Sequence, residues 1–380
     1  LSYSWNCEYR DTIVPALDSR FKLCLSCVCG PMEQRLAPDF TFYLTSVEQI
    51  ADEGRHFTLN VDELRQLNPT TSTCPTFRSK AEAEITKRIY RTVPAWSLHE
   101  QSDDWPGTPK TPFNMSNDSG LFVEKRHIGQ ASENRFLPLY EAKFVHQFNH
   151  RFATFQDNGP SGAVESQISY LASPLFHVES RYWLDASTLA ARFPGRWFLV
   201  WRDISCATNE RTSIAAIIPQ YPCAHTVSLV ERLSASTAFV LVSCLNSMAY
   251  DFCARQKVSG THLNHGIWKQ LPLLPRALHV QPCPWIADES RTAIDSSLST
   301  WLLPRVLELT YTAWDLEPFV QDCGYDGPPF RWDEERRFQL RAELDAAFFH
   351  LYLPGDAQGD WLPAANESPE DLARLKESFP

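Results

Sequence analysis

Side chains that suit contact with nucleic acid are concentrated in three short segments, residues 143–151, 202–212 and 257–264. Arginine can pair bidentately with guanine and asparagine with adenine. Hydroxyl and backbone N–H groups near a glycine suit contact with phosphate. The candidate contact residues are Lys143, His146, Arg151, Arg202, Asn209, Arg211, Thr212, Lys257, Thr261, His262 and Asn264.

Each segment also has a purely structural interpretation. Residues 143–151 would then be one solvated strip of a helix or loop. Arg211 would pair with Glu210 or Asp203 inside a turn, and residues 257–264 would serve packing. The spacing alone leaves both interpretations open.

Charge is distributed unevenly along the 380 residues, whose net charge is −11. Residues 135–280 hold 13 Lys and Arg against 9 Asp and Glu, whereas residues 281–380 hold 8 against 19. Residues 1–134 are also net acidic. Since phosphate neutralisation drives non-specific DNA affinity, only the middle part favours a nucleic-acid partner.

Composition indicates a globular chain of two or three domains, with 43% hydrophobic and 21% charged residues. No run of about 18 apolar residues occurs, so no membrane span is expected. The eleven cysteines lack the dense spacing of a secreted disulfide scaffold, which indicates a reducing, cytoplasmic compartment. Cys24, Cys27 and Cys29 have no nearby fourth ligand for zinc and are expected to be buried strand residues.

Periodicity predicts a mixture of strands and helices. Residues 21–29 and 40–44 are expected to form a hairpin at the edge of a larger sheet. Three more strands are expected near 197–201, 214–218 and 226–230, with Trp197 and Trp201 as core residues. The predicted helices follow caps at Asn60 and Ser79 and span residues 237–255, 302–314 and 332–353, and the prolines of 271–275 indicate an extended strap.

Familiar catalytic motifs are missing. The sequence contains no G-x-G-x-x-G, G-x-x-x-x-G-K-[ST] or G-x-S-x-G pattern, and residues 327–330 (GPPF) suit a turn better than a methyltransferase tetrapeptide. Glu141 and Lys143, with Asp118 upstream, leave open a weaker alternative, a Mg²⁺-dependent nuclease.

Short motifs across nearly the whole chain resemble, in order, the C-terminal part of large adenine-specific DNA methyltransferases of the fused type IIG restriction-modification class. The motifs are residues 18–22 (DSRFK), 67–69 (LNP), 73–79 (TCPTFRS), 113–119 (FNMSNDS), 138–154 (PLYEAKFVHQFNHRFAT), 202–204 (RDI), 208–212 (TNERT), 245–247 (LNS), 254–257 (ARQK), 260–264 (GTHLN) and 269–272 (KQLP). In that family the cofactor motif and the N-P-P-Y/F tetrapeptide lie upstream of the segment equivalent to residues 18–29. This sequence has neither.

The resemblance implies an α+β chain in four parts. These are the terminal strands of a truncated methyltransferase domain (1–45), a connector with helices (46–134), a mixed α/β target-recognition domain (135–280) and a helical acidic tail (281–380). The expected partner is double-stranded DNA, together with a methyltransferase portion or a separate subunit. S-adenosylmethionine would bind the parent enzyme and not this chain alone, which is expected to have no catalytic residues and no metal ligands of its own. Leu1 in place of Met suggests a fragment.

A second hypothesis from a different class is a complete, non-catalytic specificity subunit. Such a subunit would bind DNA itself and would direct a separate methyltransferase or nuclease.

Overall fold

The structure, a computed structural model, is mixed α+β and describes residues 3–8, 22–27, 38–99, 107–129, 135–156, 162–286, 296–355, 368–370 and 372–373. Within these residues the chain divides into two units. The first lies within residues 1–101, 269–273 and 350–380, and the second within 102–268 and 274–349.

The first unit contains a four-stranded sheet in the order β2-β1-β3-β4. Its strands are β1 (Tyr3–Glu8), β2 (Lys22–Cys27), β3 (Asp39–Leu44) and β4 (Phe57–Thr58). β1 pairs antiparallel with β2 and parallel with β3. The predicted hairpin between β2 and β3 is therefore wrong, because β1 uses the hydrogen-bonding groups on both of its edges and lies between them.

Cysteines in β2 also differ from expectation. Cys24 and Cys27 are exposed and are not buried strand residues. Cys29 lies outside the described residues.

The helices of the first unit are α1 (Val61–Leu67), α2 (Lys80–Thr92) and α3 (Trp96–His99). The first two begin where the sequence predicts, whereas α3 was not predicted. Asn60 forms a capping box with Glu63, and the Ser79 hydroxyl accepts from the N–H of Glu82. The predicted strap is confirmed at its start, where Leu273 donates to the Pro94 carbonyl and Trp96 donates to the Leu271 carbonyl.

The second unit is built on a sheet in the order β12-β11-β13-β5, with a smaller sheet β6-β10-β7 and a pair β8-β9. The strands are β5 (Thr108–Lys110), β6 (Phe122–Glu124), β7 (Phe136–Pro138), β8 (Ala153–Thr154), β9 (Val164–Glu165), β10 (Tyr182–Asp185), β11 (Trp197–Arg202), β12 (Ala215–Pro219) and β13 (Val227–Glu231). All of these strand pairings are antiparallel. The three strands predicted from the sequence correspond to β11, β12 and β13.

The helices of the second unit lie partly between these strands in the chain and partly after them. They are α4 (Ile168–Leu171), α5 (Ala186–Arg192), α6 (Ala235–Asn246), α7 (Met248–Lys257), α8 (His265–Trp268), α9 (Leu298–Thr310), α10 (Glu317–Asp322) and α11 (Glu334–Tyr352), whose last residues belong to the first unit. The 3-10 helices in the described residues are Val47–Ala51, Glu53–Arg55, Ser119–Leu121, Lys125–His127, Ala142–Phe144, Arg276–Val280 and Trp314–Leu316.

The single helix predicted over 237–255 is in fact two helices, α6 and α7, which meet at an angle of 63°. Ser247 ends α6 and begins α7, where its hydroxyl accepts from the N–H of Tyr250. Asn246 donates its amide to the Ala215 carbonyl and accepts from the Ala215 N–H. These side-chain hydrogen bonds fix the break against β12.

The boundaries of the units differ from those expected. Residues 107–129, predicted as connector, and helices α9 and α10, predicted as a separate tail, belong to the second unit. α9 packs against α6 and buries Leu302, Val306 and Leu309. The net acidic charge of residues 281–380 therefore gave no indication that one face of these helices is apolar and buried.

Arg151 holds several segments of the second unit together. Its side chain is 0% exposed. It donates to the carbonyls of Leu171, Ser173, Phe176 and Thr312 at 2.8–3.1 Å. A guanidinium group satisfies several buried carbonyls at once because its donors form a fixed fork.

We expect Arg151→Ala to destabilise the protein by about 3 kcal/mol or more, because several buried carbonyls lose their donor. Urea denaturation measures this loss. Arg126→Ala, at a side chain that is 73% exposed, is the control and should change stability by no more than about 0.5 kcal/mol. Equal effects of the two substitutions would contradict the assigned role.

Candidate nucleic-acid interface

Two loops of the second unit pair directly with each other at the end of β11. We call residues 203–212 and 258–264 the paired loops. Ser205 donates its N–H to the Thr261 carbonyl at 3.0 Å, and Leu263 donates to the Asp203 carbonyl at 2.7 Å. Two segments that are separated in sequence and were predicted separately therefore form one surface.

Asp251 on α7 fixes the first of the paired loops. Its side chain is 3% exposed, and Oδ1 accepts from the N–H groups of Thr212 and Ser213 at 2.6 and 2.7 Å. Its Oδ2 accepts from Arg255 Nε at 2.6 Å, and Arg255 also donates to the Ala207 and Glu210 carbonyls. The loop backbone is thus held by side chains of one helix.

Exposed polar side chains stand on this anchored backbone. Asn209, Thr261, His262 and Asn264 are all exposed. His262 Nδ1 lies 2.6 Å from Asp203 Oδ2, which orients the ring. Asn264 accepts from the Ile267 N–H and so caps α8. Amide, hydroxyl and imidazole groups in fixed positions can exchange hydrogen bonds with base edges and phosphates.

Cations beside the paired loops are largely engaged within the protein. Arg211 pairs with Asp345 at 2.8 Å, and Arg255 with Asp251. Burial lowers the pKa of Lys257 to about 7. The exposed surface of the paired loops is therefore polar, and dense positive charge must come from another part of the unit.

Two of the predicted contact residues lie inside the protein. Thr212 is 0% exposed, and its hydroxyl donates to the Cys206 carbonyl. Arg151 is buried among the carbonyls described above. A direct DNA contact does not fit these positions, because both side chains are committed to internal hydrogen bonds.

Residues 143–151 do not form one exposed strip. Only Ala142–Phe144 is helical, as a 3-10 turn, and Lys143 pairs with Glu141 at 3.0 Å. His150 is buried and lies 3.0 Å from Asp315. A chain that turns sharply after residue 144 distributes these side chains between surface and core.

His146 lies in a separate cationic region of the second unit. Its ring stacks on Phe152 at 4.6 Å. Burial, followed by the charges of Arg202, Arg341, Arg337 and Arg211, lowers the pKa of His146 to about 4. Imidazole is therefore neutral here at pH 7.

Arg337 and Arg341 are residues that the sequence analysis did not identify. They lie four residues apart on α11, on the side that also carries the buried Leu340 and Leu344. Their inward direction could have been predicted from the sequence, because arginines at positions i and i+4 that flank leucines lie on the same helix face as those leucines. The net-acidic composition of the tail concealed it.

The three residues of the alternative nuclease site each have a partner within the protein. Asp118 accepts from the Asn114 N–H and pairs with Arg192, while Glu141 pairs with Lys143. Among the described residues, no group of three or more His, Cys, Asp or Glu side chains could hold a metal ion.

No protein-family model matches the chain, and no curated protein matches its sequence. No single helix in the described part of the chain is long and apolar enough to cross a membrane, and α6 with α7 meets that test only as a bent pair.

Asp251→Ala should destabilise the protein by about 3 kcal/mol, because two loop N–H groups and Arg255 lose a buried acceptor. Hydrogen exchange should show faster exchange at Thr212 and Ser213. Glu231→Ala, at a partly buried carboxylate on β13, provides a comparison. Unchanged protection at the two loop amides would refute the anchoring role.

His146→Phe should remove part of the acid sensitivity while keeping the stack on Phe152. The folded pKa of about 4 is below the ordinary 6.5, so the unfolded state binds more protons between these values. Wild-type stability should therefore fall as pH falls through this window, by up to about 3 kcal/mol more than that of the variant. Urea denaturation across the window measures the difference.

His225→Phe, at an exposed histidine, serves as the control for that experiment. Parallel stability curves for wild type and His146→Phe would contradict the pKa shift.

Proposed function

We propose that this chain recognises double-stranded DNA for adenine-specific DNA methylation, in restriction-modification or phage defence. The observation that supports the proposal is the joining of residues 203–212 and 258–264 into one polar surface. Both segments carry motifs that resemble the target-recognition region of adenine methyltransferases.

The exposed groups of the paired loops suit recognition in the major groove. The Asn209 amide offers both a donor and an acceptor, which matches the N6 and N7 edge of adenine. Thr261, His262 and Asn264 offer hydroxyl, imidazole and amide groups to neighbouring bases or phosphates. Because the backbone is already anchored, little conformational entropy is lost when these groups bind.

Methyl transfer is assigned in this proposal to a methyltransferase portion or to a separate subunit. S-adenosylmethionine would bind there. The residues of this chain do not fit such a site, since its sequence holds no G-x-G-x-x-G turn and its GPPF segment lacks a side chain that could accept from the target amine.

A cytoplasmic location is part of the proposal. Several cysteines in the described residues are free thiols, including the exposed Cys27. Free exposed thiols are typical of a reducing compartment.

The proposal predicts salt-dependent binding of a labelled random-sequence duplex, measured by fluorescence anisotropy between about 50 and 200 mM salt. Thr261→Glu should weaken binding by about tenfold, because a carboxylate on the paired loops repels phosphate. Ala190→Glu adds the same charge at an exposed position of α5 and should have little effect.

Two results would reject the proposal. One is the absence of salt-dependent duplex binding, both by the chain alone and with a methyltransferase partner. The other is an equal loss from Thr261→Glu and Ala190→Glu. Strong binding by the chain alone would favour the stand-alone specificity subunit over a part that needs the methyltransferase portion.

A further inference from the structure

A cavity of about 280 Å³ lies in the second unit between α11 and the segments around residues 146–152 and 165–171. Its lining includes aromatic, cationic and uncharged polar side chains, together with the aliphatic Ile168 and Leu171 and the carboxylates of Glu165 and Glu334. The aromatic walls are Phe152 and Trp332, and the cationic and polar groups include His146, Ser166, Arg337 and Arg341.

Several donors at this cavity lack acceptors among the described residues. Arg341 has no hydrogen bond or ion pair there, and its Nε is shielded from solvent. The buried Ser166 Oγ likewise has no partner in the described part of the chain. A shielded N–H or O–H without an acceptor is costly, so these groups indicate a missing ligand.

Neighbouring arginines increase the positive potential at the cavity. Arg202 and Arg211 both act electrostatically on His146, which lines it. Within the described residues, Arg202 Nε and one terminal nitrogen of Arg211 are also shielded and lack an acceptor. Asp345 pairs with Arg211 at 2.8 Å and offsets one of these positive charges. The remaining arginines still repel each other, which favours a further anion in this region.

Nearby carboxylates do not complete the site. Asp345 already accepts from Arg211 and from the Met248 N–H. Glu334 accepts from the Trp332 indole at 2.6 Å, and Glu165 is exposed on β9. The described carboxylates therefore leave the Arg341 guanidinium without a partner.

We propose that this cavity binds the phosphate group of a phosphate ester, held by Arg341 and Ser166 with Arg337 beside them. A phosphate presents several acceptor oxygens, which suits a guanidinium fork and a hydroxyl together. The cavity volume leaves space for the organic group of the ester against Phe152 and Trp332. The site requires a phosphate whichever molecule carries it, so the inference is independent of DNA recognition.

Isothermal titration calorimetry with inorganic phosphate tests the site directly, with 5′-dAMP as a second probe. Wild type should bind phosphate saturably, and Arg341→Gln should weaken binding by about tenfold or more. Arg336→Gln is the matched control on the same helix, because Arg336 pairs with Glu308 instead. Ser166→Ala should weaken phosphate binding to a smaller extent.

The melting temperature of each variant shows whether a loss of phosphate binding comes from a failure to fold. Without phosphate, Arg341→Gln should melt at or above the wild-type temperature, since it removes a shielded cation that lacks a partner. Added phosphate should raise the melting temperature of wild type and of Arg336→Gln, but not that of Arg341→Gln.

Competition with a labelled duplex distinguishes the sources of the phosphate. If inorganic phosphate displaces duplex better than chloride does at equal ionic strength, the cavity holds a phosphodiester of DNA. If phosphate and 5′-dAMP bind without displacing duplex, the ligand is a free phosphate ester. Absence of saturable phosphate binding, or an equal loss in Arg341→Gln and Arg336→Gln, would overturn the inference.

Discussion

The buried carboxylate of Asp251 is the interaction on which the paired loops depend. One side chain of α7 fixes two consecutive loop N–H groups, and through Arg255 it also fixes two loop carbonyls. A charge removed from water is tolerated here because both carboxylate oxygens accept hydrogen bonds, and Oδ2 also pairs with the Arg255 guanidinium. The second loop then pairs with the first through its backbone, so a single anchor positions both segments.

Most of the positive charge of the second unit serves structure. Arg151, Arg211 and Arg255 donate to carbonyls or carboxylates within the protein. A net-positive composition is therefore a poor measure of the charge that a partner meets. Two features remain for a partner, namely the polar surface of the paired loops and the separate arginine region at the cavity beside α11. The first supplies hydrogen-bonding groups and the second supplies positive charge.

Sequence patterns predicted much of the fold but only part of the candidate site. The caps at Asn60 and Ser79 and the strands β11 to β13 follow from local signals, namely capping side chains and apolar runs. The position of β1 between β2 and β3 and the break at Ser247 depend on pairing partners distant in sequence. Burial of Arg151 and Thr212 could not be predicted, because charge and hydroxyl type do not reveal which groups lose water. The inward direction of Arg341 could have been found from its helical spacing relative to Leu340 and Leu344.

Anchoring by backbone groups has a consequence for how the paired loops can diversify. Asp251 and Arg255 bind main-chain N–H and C=O groups, which every residue type except proline supplies in full. The outward side chains at 209 and 261 can then be exchanged with little cost to folding. Related chains could thus acquire new ligand preferences at the loop tips while their scaffold stays constant.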